Sequence, residues 1–132
     1  MVRLHSRNTI TLRRRMRKLK RSNCVVMPLV LTYKWYDMID KGGKREEYRD
    51  GTRRYAVRFA NFASRAHVYI GPILAAEKIR VVAFQRSYTK PDMFWICKVV
   101  FRDHGKREHP EWGEPEKPHW VVKLLERVEL ET

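Results

Sequence analysis

The segment 94–101 constrains the fold of this chain more than any other. One of its two faces is wholly apolar and consists of Trp95, Cys97, Val99 and Phe101. On the other face, Lys98 interrupts the apolar residues. An alternation with a period of two residues is typical of a β-strand that presents one face to a core. The chain is therefore expected to build its core against a β-sheet.

Other short segments of strand-like composition recur along the chain, separated by glycine and proline residues that favour turns. They cover residues 27–32, 44–49, 68–70, 79–84 and 120–125. Residues 102–118 contain two glycines and three prolines, and they are predicted to form a loop.

Two segments near the front of the chain have helical spacing instead. A first helix is predicted after residue 32, with an apolar face formed by Trp35, Met38 and Ile39. Thr32 can cap its start, and Gly42 can take the left-handed conformation at its end. A second helix is predicted over residues 52–65, with an apolar stripe formed by Tyr55, Phe59 and Phe62.

These elements indicate the fold class. Five or six short strands and two short helices, without regular alternation of the two, disfavour a doubly wound parallel sheet. We expect an α+β chain that is mainly β, arranged as a small mixed or antiparallel β-barrel with two short helices.

The formal net charge of +14 is distributed unevenly over the 132 residues. Residues 1–26 contain nine of the 29 Lys and Arg residues and none of the 15 Asp and Glu residues, so residues 27–132 carry only +5. We therefore expect a flexible basic arm over residues 1–26 and a folded domain over residues 27–132. The arm is interpreted as a tail that contacts nucleic-acid phosphates, a targeting segment, or a translated stretch upstream of a true start at Met27.

Composition also excludes several classes of protein. No run of 18 apolar residues is present, so neither a membrane span nor a membrane partner is predicted. Cys24 and Cys97 form neither a disulfide framework nor a zinc ligand set, and Cys97 is predicted to be a core residue. His104 and His109 match no metal-ligand spacing, so no metal and no cofactor is predicted. A cytoplasmic protein with a polyanionic partner, usually nucleic acid, is expected.

The segment 41–49 is the main candidate for a functional site. Two adjacent glycines let its backbone turn sharply and approach a ligand closely. Glu47 and Arg49 then point to the same side of the predicted strand, and Lys44 precedes them at the strand's mouth. Cations for a phosphate and a carboxylate for an exocyclic amine would together hold a nucleotide. A solvent-exposed edge strand with salt pairs explains the same residues without a ligand.

Residues 31–49 resemble the opening of ASCH domains, which are relatives of the PUA RNA-binding fold. In that family an apolar strand and a short helix end in Gly-x-Lys and are followed by x-x-Glu-x-Arg. Here these motifs read Gly42-Gly43-Lys44 and Arg45-Glu46-Glu47-Tyr48-Arg49. Segments similar to small phage and bacterial ASCH proteins are Lys34-Trp35-Tyr36, Phe84-Gln85-Arg86-Ser87-Tyr88-Thr89-Lys90 and Pro110-Glu111-Trp112-Gly113.

The resemblance implies a PUA-like β-barrel with a cleft beside the Gly-x-Lys turn. It also implies that the cleft binds RNA or a modified nucleotide. Aromatic residues that flank the motifs would stack on a flat base. The residues predicted to form the binding site are Lys34, Trp35, Lys44, Glu47, Arg49, Arg86, Tyr88 and Trp112.

Two alternatives remain open at this level. The chain is also similar to an ASCH amidohydrolase subgroup that acts on N4-acetylcytidine, whose lysine corresponds to Lys44 but whose threonine position holds Glu47. As a ribonuclease, the chain would use Lys44 and Arg49 to stabilise phosphate charge and Glu47 as a base. The other alternative is a protein-interaction module tethered by the basic arm.

The chain departs from the small ASCH proteins at residues 86 and 87, where Arg86 and Ser87 replace an Asn and a Gly. Serine is unfavourable at positive φ, so the backbone of this loop is expected to differ from that of the family.

Overall fold

The computed structural model of the chain describes residues 16–103 and 107–131. Two helices are present in this part, α1 (Tyr33–Asp40) and α2 (Arg53–Arg65). The strands are β1 (Arg17–Lys20), β2 (Cys24–Leu31), β3 (Glu46–Asp50), β4 (His67–Ile70), β5 (Ile73–Glu77), β6 (Ile79–Arg86), β7 (Met93–Arg102) and β8 (His119–Glu131). The prediction of a mainly β chain with two short helices is confirmed.

Six of the strands form one mixed sheet, in the order β1-β8-β7-β6-β2, and β3 also pairs with β8. The long strand β8 has β7 on one side and both β3 and β1 on the other. The pairs β1–β8 and β2–β6 are parallel, and the remaining pairs of this sheet are antiparallel. Within the described residues no strand pairing joins β2 to β3, so closure into a barrel stays a prediction.

The main core lies between one face of this sheet and the two helices. Ile39 of α1 and Phe59 and Phe62 of α2 pack with apolar side chains of β2, β6, β7 and β8. Cys97 belongs to this cluster, as predicted, and burial raises the pKa of its thiol to about 12. In α1 the buried residues are Tyr36 and Ile39, whereas Trp35 is only partly buried because it faces the candidate site.

Part of the predicted basic arm lies in the sheet. β1 pairs with the end of β8, and β2 begins at Cys24, so the domain boundary predicted at residue 27 falls inside a strand. Leu19 is buried with Cys24 in a second apolar cluster, while the cations around it remain exposed. Residues 1–15 lie outside the described residues.

Some local features differ from the sequence prediction, and others agree with it. The strand predicted over residues 44–49 begins only at Glu46, and β5 was not predicted. Thr32 occupies the N-cap position of α1 but makes no side-chain capping hydrogen bond. Gly42 has the predicted left-handed conformation, with φ of +82°. None of the helices in the described ranges has the length and apolar character needed to cross a bilayer.

Candidate functional site

A cleft of about 320 Å³ lies where β2 runs into α1 and approaches β3. It is lined by Val30, Leu31, Thr32, Trp35, Glu47, Tyr48, Arg49, Asp50 and Tyr55. The lining therefore combines three aromatic side chains with the buried carboxylate of Glu47, the carboxylate of Asp50 and the guanidinium of Arg49. Ligand pockets commonly have a volume of about 300–1,000 Å³, so this cleft suits a small planar group.

The strand period places Glu47 and Arg49 on the same side of β3, as predicted. A nitrogen of Arg49 lies 3.0 Å from Oε2 of Glu47, and it donates a hydrogen bond of 2.8 Å to the backbone oxygen of Val30. Arg49 thus connects β3 to the facing edge of β2. Its Nε atom is buried and has no hydrogen-bond partner among the described residues.

Lys44 differs from its predicted place at the mouth of the strand. Its side chain is 1% exposed, and its Nζ atom donates hydrogen bonds of 2.9 Å to Glu47 Oε1 and to the backbone oxygen of Trp112. The same ammonium lies 4.0 Å from the centre of the Trp35 ring, within cation–π range. Burial lowers the pKa of Lys44, and the charge of Glu47 opposes that shift. Lys44 therefore supports Glu47 from behind the cleft.

The Pro110-Glu111-Trp112-Gly113 turn covers the outer side of Trp35. Gly113 has φ of +82°, and a Cβ atom placed there would lie 2.6 Å from Cζ2 of Trp35. No larger residue fits this contact without displacing the ring. The indole of Trp35 consequently contacts both Gly113 and Lys44, and three segments singled out in the sequence meet at one point.

The other predicted site residues are not among those that line the cleft. Lys34 lies 4.4 Å over the Trp35 ring, and the Trp112 ring stacks on His109 at 3.8 Å. Arg86 forms two hydrogen bonds with Asp37, and Tyr88 is 99% exposed. Ser87 has a φ of 55°, in the positive range that is unfavourable for serine.

A second buried charge cluster was missed by the sequence interpretation. It lies against the opposite face of β3, and we call it the Glu114 network; its members are Glu46, Arg102, Glu114 and His119. Arg102 donates to both oxygens of Glu46 at 2.9 Å and to Glu114 at 2.6 Å. Glu114 Oε2 also lies 2.8 Å from His119 Nε2. By analogy, Lys44, Glu47 and Arg49 form the Glu47 network.

The Glu114 carboxylate is held in its charged form. Its Oε1 atom accepts the backbone N–H groups of Glu108 and His109 at 2.7 and 2.8 Å. Burial alone would raise the pKa of Glu114, but these bonds and those from Arg102 and His119 lower it to about 2. The network is drawn from four separate segments, and no local spacing in the sequence indicates it.

The loop histidines do not define a metal centre in the described residues. Ligand atoms of Glu46, Glu108 and His109 lie within 4.8 Å of one another. Arg102, however, forms salt bridges of 2.9 Å to both glutamates, so a guanidinium already supplies the positive charge there. His104 lies outside the described residues.

No protein-family model, no curated protein and no solved structure matches this chain.

Proposed function

We propose that the protein binds RNA by taking one nucleotide base into the cleft between β2 and β3. The observation that carries this proposal is the position of Glu47. Its carboxylate lines the cleft, and it accepts one hydrogen bond from Lys44 and one from Arg49. A carboxylate has about four acceptor positions, so capacity remains for a ligand donor.

The bases that match this acceptor are those with an exocyclic amine. Cytosine, adenine and guanine each present such a donor, whereas uracil has none, and a carboxylate that accepts from the amine selects against a carbonyl oxygen at the same position. Trp35 and Tyr55 line the same cleft, where the exposed parts of their rings would contact a base. Base stacking on an aromatic side chain contributes roughly 1–3 kcal/mol.

We also propose that the sheet closes into a PUA-like barrel of the ASCH type, and that β2 and β3 meet where the barrel closes. The bond from Arg49 to the Val30 carbonyl supports this assignment, since it connects two edges that no strand pairing joins within the described residues.

Titration of the full chain with the four ribonucleoside monophosphates, followed by calorimetry, tests the proposal. Cytidine, adenosine and guanosine monophosphates, whose bases have an exocyclic amine, are expected to bind more tightly than uridine monophosphate, by about fivefold or more. Glu47→Gln should remove this preference, because the glutamine amide can also donate to a carbonyl oxygen.

Glu116→Gln is the matched control, because it removes the same charge from an exposed side chain outside the cleft. It should leave the order of the four affinities unchanged. Four equal affinities, or a preference that survives in Glu47→Gln, would contradict the assignment of Glu47 as the base-selecting group.

A further inference from the structure

The outer edge of β2 is covered by arginine side chains. β2 pairs with β6 along one edge, and its other edge has no strand partner among the described residues. Along that edge three successive outward carbonyls each accept a hydrogen bond from a guanidinium. The pairs are Val26 with Arg65, Pro28 with Arg58, and Val30 with Arg49. Because alternate residues of a strand are about 6.6 Å apart, the guanidinium groups form a regularly spaced row.

Two of these arginines come from α2, a helix with four arginines and no acidic residue. Arg54, Arg58 and Arg65 lie on one side of it, at intervals of four and seven residues. None of the four has a carboxylate within salt-bridge distance in the described part of the chain. Arg53 and Arg54 also stand in the first helical turn, where positive charge is unfavourable.

The arginine row borders a groove of about 510 Å³ between β2 and α2. Its lining is partly apolar and partly polar; among the lining residues are Pro28, Phe62, Arg58, Asn61, Ser64 and Arg65. The groove follows residues 26–28 of β2, and the lining of the cleft resumes on the same strand at Val30. The two depressions therefore succeed each other along one strand.

We propose that this groove binds the sugar-phosphate backbone of the RNA strand whose base enters the cleft, an inference that rests on the proposed function. Each guanidinium has five N–H donors, and the carbonyl contact uses one of those of Arg58 or Arg65. The remaining donors are available to phosphate oxygens. Burial lowers the pKa of Arg58, and the nearby positive charges of Arg49 and Arg54 lower it further. An anion bound beside these arginines would reduce their mutual repulsion.

A peptide strand added to the edge of β2 fits these observations less well. Such a strand needs free backbone donors and acceptors on the edge it joins. Pro28 has no N–H group, and the outward carbonyls of the strand already accept from arginines. Charge and edge chemistry together favour a polynucleotide backbone.

Fluorescence anisotropy with a labelled single-stranded RNA of about 12 nucleotides, measured over a range of salt concentrations on the full chain, tests the inference. Arg54 is exposed and its side chain forms no hydrogen bond or salt bridge with the described residues, so Arg54→Gln should fold normally. We expect affinity to fall about two- to fivefold. The slope of log K against log salt should decrease by about 0.7. Arg54→Lys should retain both.

Lys98→Gln is the matched control. It removes one positive charge from an exposed strand position on the sheet face opposite α2. Its effect on affinity should stay below about twofold. If Arg54→Gln and the double variant Arg54→Gln/Arg58→Gln lost no more affinity than Lys98→Gln, the groove would not be the backbone site.

Comparing Glu47→Gln with the arginine variants separates this inference from the proposed function. If Glu47→Gln abolishes base preference while the arginine variants leave RNA affinity unchanged, the cleft assignment stands and the groove assignment is wrong. The reverse result retains the groove assignment and rejects the cleft assignment.

Two other polyanions test which class of ligand the groove binds. Single-stranded DNA should bind with the same dependence on Arg54. Poly-glutamate that binds more tightly than RNA, and that depends on Arg54, would assign the groove to an acidic peptide instead.

Discussion

The two buried charge networks lie against opposite faces of the same strand, yet they differ in how completely their groups are paired. In the Glu114 network, no buried side-chain nitrogen or oxygen lacks a partner among the described residues, and Glu114 alone accepts four hydrogen bonds. In the Glu47 network, Arg49 keeps a buried Nε without a partner, and Glu47 borders an open cleft.

This contrast separates a structural role from a binding role. Buried polar groups in proteins are almost always hydrogen-bonded, and a fully paired network rigidifies the fold. A network with unused capacity beside a cleft is instead poised to pair with a ligand. By this criterion Glu114 holds the loop 107–118 on the sheet, while Glu47 is the group that we propose recognises a base.

The sharpest test applies one substitution to both networks. The side chains of Arg102 and Arg49 are 15% and 17% exposed, so Arg102→Gln and Arg49→Gln remove the same group at similar depth. Arg102→Gln should cost about 3–5 kcal/mol in the free energy of unfolding, because it leaves two buried carboxylates without their cation. Arg49→Gln should cost only about 1 kcal/mol, because Glu47 keeps Lys44 and the cleft admits water.

Urea unfolding of both variants measures the difference. Arg102→Lys serves as the intermediate case, since it keeps the charge but loses the bidentate geometry. Equal losses for Arg102→Gln and Arg49→Gln would mean that the two networks have the same structural role, and the contrast between them would fail.

The second largest effect is expected from acid, which should lower the free energy of unfolding by protonating Glu114. The pKa of Glu114 is about 2 in the folded chain, against an ordinary value of 4.5. A group whose pKa is lowered by folding stabilises the protein above its unfolded pKa, and this contribution disappears as the pH falls from about 4.5 to about 2. The loss should be on the order of 3 kcal/mol.

The measurement is the free energy of unfolding of the wild-type chain and of Glu114→Gln at several values between about pH 5.5 and pH 2.5. The variant should be less stable at the upper end, and its stability should fall less steeply with acid. Parallel curves for the two proteins would show that Glu114 is not the titrating group.

A smaller effect is expected at the turn that connects the networks. Gly113 directly precedes Glu114 of one network, and it contacts the Trp35 ring, which also contacts Lys44 of the other network. Gly113→Ala meets both an unfavourable φ and the ring, whereas Gly42→Ala meets the same φ of +82° in open space. Gly113→Ala should therefore be the more destabilising by about 1–3 kcal/mol. Similar thermal midpoints would mean that the ring moves aside without cost.

The features that sequence reasoning predicted are those with a local cause. The spacing of Phe59 and Phe62 predicted α2, and the alternation around Trp95 and Cys97 predicted β7. The same period of two placed Glu47 and Arg49 side by side. Each of these depends on geometry within a few consecutive residues.

The features that were missed depend on contacts between distant segments. β1 is a run of charged residues around Leu19, and only its pairing with β8 makes it a strand. Lys44 is buried because the Trp112 turn, 68 residues away in sequence, closes over it. The Glu114 network likewise needs β3, β7 and β8 in place before its residues meet.

The position of β8 has a consequence for how the chain acquires its structure. β8 contacts β7 on one side and both β1 and β3 on the other, so it is the strand on which three others assemble. During synthesis it emerges after all seven other described strands, and β1 must wait for the distant segment that begins at Val128. Pairings between such distant segments form slowly. Until β8 emerges, β1 and β3 lack their only strand partner among the described residues, so their edges stay unpaired during this interval.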